Sequence, residues 1–114
     1  MVRDTHRRLA LELRLAVESL VGAPSPDSYN VLSKMLASLR RAGVAAAALE
    51  PATIAMNQIC DRFERVGKVG LSGDEAAILR REAGNLERLL PALPVNVFAQ
   101  AVAEVEVFCA TAGA

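Results

Sequence analysis

Apolar residues recur at spacings of three and four along most of the chain, the period of a buried helix face and not of a strand. The first segment carries Leu9, Leu13, Ala16, Val17 and Leu20. Asp4 or Thr5 is placed to cap it and Gly22 to close it in the left-handed C′ position, so a helix is predicted over 5–21. After GAPSP, Ser25 followed by Pro26 starts a second helix, because proline's missing N–H costs nothing in a first turn. That helix, 26–42, has the stripe Tyr29, Leu32, Met35, Leu36 and Leu39 and stops at Gly43. Residues 44–50, VAAAALE, fit a helix or a connector, and Pro51 marks a restart or a kink.

A third helix is predicted over 51–66, with Ala52, Ala55, Met56, Ile59, Phe63 and Val66 inward. The one-turn pairs Asp61/Arg65 and Glu64/Lys68 lie outside. A fourth, over 73–90, has the stripe Leu79, Ala83, Leu86 and Leu90 continuing to Leu93, with Arg80, Arg81, Glu82, Glu87 and Arg88 opposite or flanking it. The chain turns at LPALP, and a last helix over 95–110 carries Phe98, Ala101, Val102, Val105 and Cys109. The pattern predicts one all-α domain across residues 1–114, a bundle of about five amphipathic helices.

Composition narrows the core chemistry. With 53% hydrophobic but only 4% aromatic residues and no Trp, the core must be aliphatic and rich in alanine, which suits close helix packing. Thirteen basic and thirteen acidic residues cancel, so the broad positive footprint of a nucleic-acid or anionic-membrane binder is missing. The apolar runs are short and interrupted by charge, so neither a membrane span nor a secretory signal is expected. Cys60 and Cys109 are the only cysteines, and reduced thiols in a cytoplasmic protein are the default expectation.

One stretch invites a chemical reading: ERVGKVGLSGDE, residues 64–75. A phosphate-binding loop needs a lysine followed by a hydroxyl, yet Val69 follows Lys68, and no strand leads in. A calcium hand closing on Glu75 would use Glu64, then Val66 and Lys68, which are not ligands. Punctuation explains the residues better. Gly67 supplies a left-handed residue after the third helix, Gly70 lets the chain reverse, and Ser72 with Glu75 forms a capping box. Leu71 is placed to staple against Ala76, while Asp74 and Glu75 complement the helix's positive end.

The sole histidine, His6, falls in the first turn beside Arg7 and Arg8, where a solvated side chain is expected. With one histidine and two distant cysteines no zinc framework exists, and no cofactor, metal or catalytic constellation is expected. An enzyme or ligand carrier would need a pocket lined by Cys60, Cys109, Met56 and Phe63, residues more simply read as core.

Residues 43–70 locally resemble a helix–turn–helix turning at Leu49, Glu50 and Pro51. The resemblance implies a DNA-binding regulator using Thr53, Asn57, Gln58 and Arg62, with Arg65 and Lys68 on phosphates. Asp61 and Glu64 on the same helix and the zero net charge weigh against it. Apolar residues off the stripes are more informative: Leu11 and Leu15 among Arg7, Arg8, Glu18 and Ser19, with Ile54 and Val107 elsewhere. They form either a second core face or an interaction surface. The leading expectation is a non-catalytic protein–protein interaction module, self-associating or docking a protein partner through Leu11, Leu15, Arg7 and Arg8.

Overall fold

A computed structural model describes residues 2–112, apart from the side chains of residues 2–5, 95, 98 and 108–112. Among the described residues every regular element is helical: α1 (Val2–Gly22), α2 (Pro26–Arg41), α3 (Ala46–Val66), α4 (Gly73–Glu87), a short 3₁₀ turn (Leu90–Ala92) and α5 (Val95–Ala112). The all-α bundle is as expected. Phe98 and Cys109, expected in α5's stripe, have side chains outside the description.

Several boundaries differ from the sequence reading for local reasons. α1 begins at Val2, so Asp4 and Thr5 lie inside the helix and do not cap it. Its first turns are tied down by His6, whose Nε2–H donates to the Leu93 carbonyl (3.0 Å). His6 is therefore half-buried, not solvated. Gly22 is the last helical residue and is not left-handed. Termination comes instead from Pro24, which disfavours helical backbone at Ala23 after a final Ala23-to-Ser19 bond.

α2 starts on a Ser25–Ser28 capping box, each hydroxyl accepting from the other's backbone N–H at 3.0 Å. It ends where Gly43 adopts φ 112° and the Val44 amide reaches back to Leu39, with Val44 buried beneath the turn.

Residues 46–50 belong to α3, and Pro51 lies inside it. Leu49, only 3% exposed, anchors this added turn in the core. The hydrogen bond that Pro51 cannot donate would have ended on Ala47, whose exposed position leaves that carbonyl to water. At its other end α3 stops on Gly67, φ 74°, whose amide bonds Phe63. The α4 α-helix ends at Glu87, short of residue 90, because Pro91 tightens the exit into the 3₁₀ turn. The tighter turn still buries Leu90.

The core runs through all five helices and is built from Leu13, Val17, Leu20, Leu32, Leu39, Ile59, Leu79 and Leu86, with alanines between them. α1 packs on α2 and α4, α3 packs chiefly on α4, and α5 lies mainly along α2. Phe63 and Val66, expected inward, are 37% and 63% exposed. At that level Val69 and Leu71 of the following loop pack on the core in their place. Glu82, expected outside, is buried, accepting from Asn85 and lying 3.7 Å from Arg81. Ion pairs fix the faces across the bundle: Arg14–Glu87 and Arg80–Glu18 join α1 to α4, Arg41–Glu104 joins α2 to α5, and Arg62–Glu75 joins α3 to α4. The predicted Asp61–Arg65 and Glu64–Lys68 pairs are not among them.

Candidate functional site

The ERVGKVGLSGDE stretch is structural. Ser72 Oγ accepts from the Glu75 amide, and the Glu75 carboxylate accepts from the Ser72 amide at 2.8 Å. The same carboxylate, 3% exposed as a residue, takes both guanidinium nitrogens of Arg62 at 2.9 and 2.7 Å. Arg62 also donates to the Gly70 carbonyl. The Arg62 hydrogen bonds hold the Glu75 carboxyl below its ordinary range, outweighing the opposing effect of burial, and the Ser72 amide adds to them. Thus Arg62, a candidate base-reading residue, is committed to an internal lock.

The other nucleic-acid candidates do not gather on one face. α3 runs unbroken through Leu49, Glu50 and Pro51, so the helix–turn–helix bend does not exist. Thr53 and Asn57 border a shallow groove against Ser33, Ala37 and Arg40 of α2. Gln58 and Arg65 share a different, outer ridge with Ile54, about 100° around the helix. Lys68 lies exposed in the loop beyond Gly67.

Cys60 and Phe63 do line a common pocket of about 250 Å³, with Pro26, Tyr29, Asn30, Ile59 and Val69. Met56 is in the core at 4% exposure, and the Cys109 side chain lies outside the description. Tyr29 donates its hydroxyl to the Met56 carbonyl (3.2 Å). Burial, reinforced by the neighbouring Cys60, pushes its phenol up to about 12. His6, bonded to the Leu93 carbonyl, is not among the residues that line this pocket. Among the described residues no three His, Cys, Asp or Glu side chains gather as a metal site. Among the same residues no helix is long and apolar enough to cross a membrane.

The outer face of α1 is different in kind. Leu11 and Leu15, one turn apart, are 58% and 55% exposed, while Leu13, Ala16, Val17 and Leu20 fill the opposite side. They are surface, not a second core face. Arg7 and Arg8 are exposed before them on the same helix. Leu15 also forms one wall of a groove of about 500 Å³ between α1, α2 and α5. Val31, Met35 and Val102 continue the apolar lining, and Glu12, Ser19, Lys34 and Glu106 supply polar groups.

Val31 is 57% exposed and was not singled out from sequence, although its position one turn before Met35 carries the signal. Ile54 is also exposed, but it is not among the residues that line this groove. Val107 on α5 is 66% exposed. Comparison of the chain with known protein families, curated proteins and solved structures gives no match.

Proposed function

We propose that this protein is a non-catalytic interaction module whose outer α1 face docks a protein. One observation carries the proposal: a leucine pair more than half exposed, one turn apart, opening into an apolar groove with charged residues around it. Each leucine moved from half-exposed to covered contributes about 1 kcal/mol of transfer free energy. Helix-in-groove recognition uses such one-turn anchors with a polar rim. An isolated exposed leucine would be ordinary, whereas Leu11, Leu15 and Val31 lie on adjoining helices.

The test compares wild type with Leu11→Glu/Leu15→Glu by concentration-dependent light scattering and by affinity capture with mass spectrometry. The wild type should gain mass or retain a defined partner, and the variant should lose it with helical circular dichroism unchanged. If both proteins stay monomeric and capture the same proteins, α1 is not the docking face.

A further inference from the structure

Resting on α1 as the docking face, we infer that its occupant is α1 of a second copy, antiparallel about a two-fold axis between Leu11 and Leu15. The argument is charge complementarity written along the helix. Arg7 and Glu18 are separated by about three helical turns, so they lie on the same flank of the leucine ridge, within about 20° of each other. They also sit at nearly equal distances on either side of the ridge midpoint.

A two-fold axis perpendicular to antiparallel helices keeps each flank on its own side and inverts height. It therefore brings Arg7 of one copy over Glu18 of the second, and the reverse, while Leu11 meets Leu15. A parallel pairing, about an axis along the helices, keeps height but exchanges the flanks, and would set Arg7 against Arg8 of the second copy.

Both groups lie at the surface. Arg7 is exposed and forms none of the ion pairs among the described residues. Glu18 accepts from two guanidinium nitrogens of Arg80 at 2.9 and 3.0 Å, yet its side chain is 48% exposed, so the remaining lone pairs of its carboxylate are open to a second guanidinium. On the other flank Arg8 faces Ser19 of the second copy. Glu12 approaches its own symmetry mate only at the exposed rim, where salt screens the repulsion. Few side chains are covered, so the dimer is weak, with dissociation in the range of about 10 μM to 1 mM.

Sedimentation equilibrium up to about 1 mM protein tests this. The wild type should dimerise, and Leu11→Glu/Leu15→Glu should not. Arg7→Glu alone and Glu18→Lys alone should each weaken association about tenfold, and mixing the two variants should restore it, because every cross-pair is then opposite in sign. Should Glu18→Lys fold poorly without Arg80's partner, salt provides the second measurement. Added salt should weaken the wild-type dimer and strengthen that of Arg7→Glu.

A wild type that stays monomeric overturns the inference while leaving α1 open to a different protein. A dimer broken by the leucine changes but showing neither rescue nor opposite salt responses overturns the antiparallel pairing. A dimer indifferent to Leu11 and Leu15 overturns both this inference and the α1 docking face.

Discussion

Replacing Glu75 with alanine should show how much of the loop's order rests on one buried carboxylate. In the folded chain Glu75 accepts from the Ser72 amide and, bidentately, from Arg62. Loss of its half of the capping box costs about 1 kcal/mol. Hydrogen bonds to a charged group add about 1.5–3 kcal/mol, of which the lower part applies here because the Arg62 side chain is 33% exposed and can be hydrated in the variant. The sum, about 2–3 kcal/mol, corresponds to a fall in Tm of about 8–15 °C for a chain of this size.

The pH dependence has a definite sign. The native carboxyl titrates below its ordinary value of 4.5, so its contribution is present above that pH and fades as pH falls through the native value. The gap in stability between wild type and Glu75→Ala should therefore be full at pH 7 and close on acidification below 4.5. Thermal melts followed by circular dichroism at pH 7 and at lower pH measure both effects. Glu75→Ala/Arg62→Met should be less unstable than the sum of the single changes. A Tm shift under about 2 °C at pH 7, or a gap that widens on acidification, would refute the buried lock.

Other outcomes follow from the same geometry. Ile59→Ala, at a site with 0% exposure, should cost about 2–5 kcal/mol in urea unfolding, and a loss below 1 would mean that the core is not closed there. Gly67→Ala, at φ 74°, should lose about 1–2 kcal/mol, whereas Gly70→Ala, without positive φ or a crowding neighbour, should be neutral or slightly stabilising. Equal effects of the two would count against the left-handed cap. Tyr29 is the only tyrosine, so its phenolate absorbance reports one group, with a native midpoint near 12. A raised native value means that Tyr29 contributes stability below pH 10 that is lost as pH rises toward 12, and Tyr29→Phe should remove that alkaline decline.

The residues of the candidate surface were legible in part. Leu11 and Leu15 stand out from the first stripe by helical phase alone, but phase cannot say whether a second neighbour covers them. That depends on α4, α2 and α5 occupying α1's other sides, a consequence of how the bundle closes. Val31 was missed because on its own helix it borders the buried stripe, and it gains meaning only where α2 meets Leu15. Arg62 was misassigned because sequence spacing shows its exposed companions and not the carboxylate thirteen residues ahead.

What the sequence alone determined is local. Periodicity set the five helices, Ser25 and Ser72 set two starts, and Gly43 and Gly67 set two stops, because hydrogen-bonding caps and left-handed backbone are decided within a few residues. The tertiary structure decided what depends on distant partners. Leu49 in the core carries α3 through Pro51, Leu93 holds the first turns of α1 through His6, and the Val69–Leu71 loop packs on the core in place of Phe63 and Val66. Each rests on burial or a hydrogen bond supplied from elsewhere in the chain, and local propensity, worth tenths of a kcal/mol per residue, yields to contacts worth several times more.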